Sequence, residues 1–316
     1  MLLRLALEKR YPHSSERAVA FREKLIRECQ WYIDAGLGDV NSLQRLCSDD
    51  DLQYWQAISE VAIALKLRET EILFGHRNDG PDFCIDYSAG RIWIEVICPT
   101  VGNNMPEDWC DPRPMGCVAF PHEEILLRWV AAIKEKTEKL IGNIEKNQIG
   151  YIDKGIVRAS DIYVIAVNGR LLRSQSSTAI SELIGISKSP FAAEAMLGIG
   201  LMAAQIDRDT GEIYQPRPQY RSSVKKSNGA YVPTNNFWDP RFAPVSAIWA
   251  IDIDEKVFLE GSLESLIIHN PNALNPLPRG ILPAYAEYIA TGNADSFSFE
   301  KFKGSIVPQA NICNPS

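Results

Sequence analysis

The stretch GPDFCIDYSAGRIWIEVI, residues 80–97, holds the pattern from which the rest of the chain is read. Two runs rich in β-branched and aromatic residues, Phe83 to Tyr87 and Arg91 to Ile97, flank Ser88-Ala89-Gly90, which has the composition of a hairpin link. A third run, Glu71 to Phe74, precedes them across the break Asn78-Asp79-Gly80-Pro81, and Pro99 ends the last one. The expectation is three short strands. With a link of even length, Asp82 falls opposite Glu95 and the two side chains share a face. A three-residue link without a bulge would set Asp82 against Val96 and send the acids to opposite faces.

Directly opposed carboxylates have Cβ atoms about 5 Å apart and repel one another, so the pair needs a compensating cation. Glu95 interrupts Ile92-Trp93-Ile94 and Val96-Ile97, where a lone charge among apolar neighbours is costly. Mg²⁺ takes oxygen ligands at about 2.0–2.1 Å and keeps several waters, so two carboxylates and a backbone carbonyl suffice to hold it against a phosphate. Glu60, projecting from the preceding helix, offers a third carboxylate. The bland alternative leaves Glu95 paired with Arg91 or Arg77, Asp82 in a turn and Glu60 in solvent.

Working outward, Trp55, Ile58, Ala62 and Leu65 form one stripe of a helix over Tyr54 to Leu67, and Ser48 with Asp49, Asp50 and Asp51 reads as its N-terminal cap. Upstream, Phe21, Leu25, Cys29 and Tyr32 recur at helical spacing. Downstream lie a loop over Thr100 to Pro121, an amphipathic helix over Glu123 to Asn143 and a buried strand over Asp161 to Asn168. The order is helix, three strands, helix, strand. Further on, Phe191 to Met202 reads as a buried helix, Asp209-Thr210-Gly211 as a hairpin turn and Val245 to Ile253 as a core strand. Four prolines make Asn270 to Pro283 a loop. The chain divides into a helical N-terminal segment (1–51), a core (52–170) and a mixed α/β extension packed on that core (171–316).

Gly80-Pro81-Asp82-Phe83, followed thirteen residues after Asp82 by Ile94-Glu95-Val96, resembles the signature of the PD-(D/E)XK nuclease superfamily. The resemblance covers about residues 52–170. It implies an α/β, restriction-endonuclease-like core in the order just read, and a metal-dependent nuclease cutting phosphodiester bonds of nucleic acid, DNA before RNA. It further implies Mg²⁺ or Mn²⁺ as cofactor, with Glu60, Asp82 and Glu95 as metal ligands. The family's lysine, two residues after the strand acid, is Ile97 here. A substitute cation is offered by the following helix, where Arg128, Ala132 and Lys136 share a stripe at spacings of four while Lys134 lies about 200° around from Lys136. Asp82, Glu95 and either Lys136 or Arg128 are therefore the expected catalytic set. The alternative is the same fold without turnover, acting as a nucleic-acid or protein binding module.

From Ile213 to Trp238 there is no acidic residue, while Arg217, Arg221, Lys225 and Lys226 alternate with Tyr214, Tyr220, Tyr231, Phe237 and Trp238. Bases and aromatics so interleaved suit a phosphate backbone and base stacking, and a plain surface loop accounts for them equally well.

Composition narrows the rest. Across 316 residues, 33 Lys and Arg against 40 Asp and Glu give net −7, which argues against a generally cationic nucleic-acid or membrane binder. Seven scattered cysteines with no Cys-x-x-Cys pair indicate neither a disulfide framework nor a zinc knuckle. The opening MLLRLALEKR reads as a helix start rather than a signal peptide, and the longest nearly apolar run, Phe191 to Ile206, is too short to cross a bilayer. The expectation is a cytoplasmic protein without membrane partners, with room for a homodimer. No phosphate-cradling glycine loop or His-Glu-x-x-His occurs. Cys98 with His122 is a third, unrelated pairing, that of a thiol and a base.

Overall fold

A computed structural model describes residues 1–88, 90–103, 105–110, 119–173, 183–261 and 263–305. Four helices open the chain: α1 (Leu2–Arg10), α2 (Glu16–Asp34), α3 (Ser42–Leu46) and α4 (Asp51–Glu69). The cap before α4 is Asp50, whose carboxylate accepts the Leu52 and Gln53 amides, while Ser48 takes the Asp50 amide one step earlier. This satisfies donors that a helix start leaves open. Helix α4 is buried nearly all round because it lies between the sheet on one side and α2 and α3 on the other.

The hairpin forms from β1 (Phe83–Tyr87) and β2 (Gly90–Ile97), antiparallel, with Phe83 against Ile94 and Tyr87 against Gly90. The expected strand at Glu71–Phe74 does not form. The C-terminal turn of α4 claims its backbone: Glu71 N–H bonds to Arg68 O and Ile72 N–H to Leu67 O, and Glu71 takes the left-handed region at φ 57°. Only Gly75 reaches the sheet, as a single bridge to Cys84.

After α5 (Glu107–Cys110) and α6 (His122–Ile141), β3 (Ile162–Asn168) runs parallel to β2. The buried helix expected to Met202 stops early as α7 (Phe191–Leu197), and the chain turns at Gly198 (φ 73°) into β4 (Ile199–Ala203). A Cβ at Gly198 would sit 2.8 Å from the Tyr220 ring, so only glycine makes this turn without displacing its neighbour. Strand β4 pairs with β5 (Arg217–Tyr220), and β6 (Ser223–Lys225) with β7 (Tyr231–Pro233), as two separate ribbons. The turn at Asp209-Thr210-Gly211 is present, with the Asp209 and Thr210 amides donating to the Asp207 carboxylate and the Gly211 amide to the Asp207 carbonyl.

The remaining elements are β8 (Ala247–Asp252), α8 (Glu255–Glu260), β9 (Glu264–His269), β10 (Ala286–Gly292) and β11 (Phe297–Lys303). One mixed sheet of seven strands results, in the order β1-β2-β3-β8-β9-β10-β11. The chain is thus a mixed α/β protein whose sheet runs through the expected boundary at residue 170, since β8 pairs directly with β3.

Alternation along the strands supplies two cores. Ile92, Ile94, Val96, Val164, Ala166 and Trp249 pack toward α2 and α4, while Trp93, Ile97, Tyr163, Ile165, Ile248 and Ala250 pack toward α6 and α7. Glu95 belongs to the second face by its position between Trp93 and Ile97, and so meets α6. Among the described residues no helix is long and apolar enough to cross a membrane.

Candidate functional site

Asp82 stands one residue before β1, and continuing the observed register puts it opposite Glu95. Its carboxylate turns onto β2, where Oδ2 accepts the Val96 amide at 2.6 Å. Glu95, at 3% exposure, accepts two ammonium groups on one oxygen: Lys136 Nζ at 2.9 Å and Lys139 Nζ at 3.1 Å. Both lysines come from α6, three residues apart and therefore on one face.

On the other side of the hairpin, α4 contributes Gln56 and Glu60, one turn apart. Arg45 grips Glu60 as a fork, at 2.9 Å to Oε1 and 3.1 Å to Oε2, with Gln56 and the Tyr32 hydroxyl completing the shell. Gln56 also donates to the Val96 carbonyl at 3.1 Å and accepts the Cys98 amide at 2.9 Å. The end of β2 is thereby fastened to α4 by one side chain.

Charge nearly balances within this cluster. Three buried acids, Glu60, Asp82 and Glu95, face three bases, Arg45, Lys136 and Lys139, and Arg45 also meets a fourth, part-exposed acid, Asp39, at 3.2 Å. The balance is uneven in space, because Arg45 serves Glu60 and both lysines serve Glu95, leaving Asp82 with a backbone amide. Burial, followed by the charges of Glu95 and Glu60, pushes the Asp82 carboxyl well above the usual carboxylate range against the pull of Lys136. For Lys136, burial pulls the ammonium down, and the nearby charges of Glu95 and Asp82 more than offset it, holding the pKa above that of an ordinary lysine. Burial and the Glu95 charge likewise raise the Tyr151 phenol, which lies at the rim of the same cluster.

The expected residues therefore separate into groups. Asp82, Glu95 and Lys136 come together. Glu60 lies beside them, with both oxygens held by Arg45. Lys134, two residues from Lys136, is exposed and stands 3.9 Å from Glu138. Arg128 lies two turns back along α6, its Nε bonded to the Thr100 carbonyl. Arg217 and Lys225 are exposed on the ribbons and Lys226 on the turn after β6, whereas Arg221 turns inward to 3.8 Å from Glu194. Glu194 is also the partner of His122. His122 meets Glu194 through Nε2, and its Nδ1 has no hydrogen-bond partner among the described residues, so its ring is not bonded to the Cys98 thiol. Lys139, Gln56 and Arg45 join the site without a place in the expected set. Lys139 is open to detection from sequence, being three residues beyond Lys136, and Gln56 stands one turn before Glu60. Nothing in the sequence near Arg45 announces its partner.

Among the described residues two oxygens of the acid pair have no donor, Asp82 Oδ1 and Glu95 Oε2, and neither is fully enclosed. Two crowded carboxylates with one free oxygen each suit a divalent ion that keeps most of its waters. Among the described residues no three His, Cys, Asp or Glu side chains gather as a metal cluster, so this pair is the donor set on offer. Comparison with family models, curated proteins and solved structures finds no match to this chain.

Proposed function

We propose that the protein is a Mg²⁺- or Mn²⁺-dependent nuclease of restriction-endonuclease-like type, hydrolysing phosphodiester bonds of nucleic acid, DNA before RNA. The observation that carries this reading is the meeting of Lys136 with Glu95 beside Asp82: the cation absent at Ile97 is supplied by α6 to the same carboxylate pair.

Asp82 and Glu95 would hold the ion through their free oxygens. When bound, the ion offsets charge on the phosphate oxygens and lowers the pKa of an attacking water. Glu95 holds Lys136 and Lys139 at the place where negative charge develops on the phosphate. Fixed cations in a desolvated site do this without reorganising. Arg45 and Gln56 keep Glu60 and the end of β2 in place, so that the two acids are presented at fixed separation. The second reading, a binding module without turnover, is favoured by the pairing of Glu60 with Arg45 and of Glu95 with Lys136 and Lys139, which offsets two of the three buried acids without an ion.

The deciding experiment incubates the full chain with single- and double-stranded DNA and RNA in Mg²⁺ or Mn²⁺, beside Asp82→Asn and Glu95→Gln. Cleavage by wild type alone supports the nuclease. Binding without cleavage under every condition moves the assignment to the binding module.

A further inference from the structure

Among the described residues, Arg128 is bound through Nε to the Thr100 carbonyl and has no other polar partner, so both terminal nitrogens of its guanidinium are left to the surface. Arg128 lines an open groove of about 660 Å³ between the loop after β2 (Thr100 to Asn103 and Met105), one face of α6 (with Glu124, Leu127 and Ala131) and the turn after β6 (Lys226 to Asn228). Gly102 packs against the Arg128 side chain, where a Cβ would come within 3.3 Å of its Cδ. The guanidinium is therefore oriented before any ligand arrives. A planar fork held by one N–H with the other donors free is the arrangement that recognises a phosphate bidentately. Lys226, on the turn after β6, is exposed and lines the same groove, its ammonium without an ion-pair partner among the described residues. Glu124 is the one acid among the described residues of the lining, so cations outnumber acids two to one.

The groove lies along the helix that serves the acid pair. Eight residues separate Arg128 from Lys136, about 12 Å of helix axis, or three to four nucleotide steps at about 3.4 Å per step. The β2 strand reaches it from the same direction, since Thr100 is five residues beyond Glu95.

We propose that this groove holds the phosphodiester backbone a few nucleotides from the bond that is cut, with Arg128 of α6 and Lys226 of the turn after β6 as positioning residues that grip phosphates. The proposal rests on the nuclease reading and reassigns Arg128 from candidate transition-state cation to substrate anchor. It commits to a polynucleotide and excludes a small phosphodiester as the occupant, because only a chain of several nucleotides spans both places.

The test compares a 20-nucleotide substrate with bis(p-nitrophenyl) phosphate, which reaches only the cutting site, using wild type, the Arg128→Ala/Lys226→Ala double variant and Lys226→Ala alone. Lys226→Ala changes an exposed turn and leaves the fold intact. The expected result is a KM for the oligonucleotide raised on the order of tenfold in the double variant and less in the single one, with kcat unchanged. The salt dependence of oligonucleotide binding should weaken by about two in log–log slope, one for each phosphate that no longer meets a cation. Turnover of the small diester should not respond. An equal loss on both substrates would return Arg128 to the cutting site or make it merely structural, and no change on either would leave the groove without a role; each overturns the proposal while the nuclease reading stands. Failure of wild type to cut or bind any nucleic acid would remove that reading and the groove's occupant with it.

Discussion

The Asp82 carboxylate accepts the Val96 amide at 2.6 Å, so the residue that begins one arm of the hairpin also ties down the residue after Glu95 in the other. One of its oxygens does structural work and the other is free. The division allows the two tasks to be separated by substitution. Asparagine keeps an oxygen for Val96 and removes a charge from an overcrowded set of acids, so Asp82→Asn should melt no lower than wild type while losing cleavage. Alanine leaves the Val96 N–H without an acceptor, at a cost of about 1–3 kcal/mol. Thermal melts of the two variants beside a cleavage assay check this, and an active asparagine variant would remove Asp82 from the catalytic set.

The three lysines of α6 should behave differently although they lie within six residues. Lys136, its side chain 8% exposed, is the buried partner of Glu95, and Lys136→Ala should abolish cleavage and cost roughly 3 kcal/mol in stability. Lys139, at 37%, shares that carboxylate from the solvent side, so Lys139→Ala should lower activity with a smaller loss of stability. Lys134→Ala should leave both close to wild type, since the lysine is exposed and its partner Glu138 keeps Lys146 at 2.6 Å. Denaturant titration and initial rates for the three variants give the ranking. Full activity in a Lys136→Ala protein that folds would place the cation elsewhere.

Arg45 and Glu60 form a fork-to-carboxylate pair in which the acid is buried. Removing the guanidinium alone strands that charge, so Arg45→Ala should destabilise by roughly 3–5 kcal/mol, whereas the double change Arg45→Met/Glu60→Leu should recover most of the loss. A double-mutant cycle by denaturant unfolding measures the coupling. Additive effects of the two changes would mean that the pair contributes nothing beyond its parts.

Mn²⁺ should stabilise the folded chain by binding it in preference to the unfolded one, by about 2.7 kcal/mol at a hundredfold excess over Kd. That corresponds to a rise of several degrees in Tm, which should vanish in Asp82→Asn and Glu95→Gln and persist in Lys134→Ala. Differential scanning fluorimetry against a Ca²⁺ and a Zn²⁺ series reads it directly. No shift with Mn²⁺ or Mg²⁺ in wild type would favour the binding module.

Local patterns carry much of this arrangement. The hairpin is legible because its strands alternate over a link whose register sets Asp82 against Glu95, and Lys136 because helical spacing separates it from Lys134. Glu71–Phe74 reads as a strand and is not one, because four strand-like residues look alike whether or not a preceding helix has claimed their amides, as Arg68 and Leu67 do here. The helix from Phe191 ends sooner than its apolar run, which continues past Gly198, and apolar runs alone do not separate a buried helix from a strand. Arg45, fifteen residues from Glu60, and the inward turn of Arg221 toward Glu194 depend on tertiary proximity that no local spacing encodes.

Strand β3, the last element of the expected core, has β2 on one side and β8, from residues 247–252, on the other. A fragment trimmed to residues 52–170 would contain Glu60, Asp82, Glu95 and both lysines and yet open an entire apolar strand edge to water, a template for pairing with other chains. Such a fragment should aggregate, and adding β8 alone would only move the bare edge outward to where β9 belongs. The smallest soluble piece that works is therefore set by where the sheet ends, far from the residues that do the chemistry, and it keeps the N-terminal helices as well, since they cover α4 and carry the Tyr32 and Arg45 that hold Glu60.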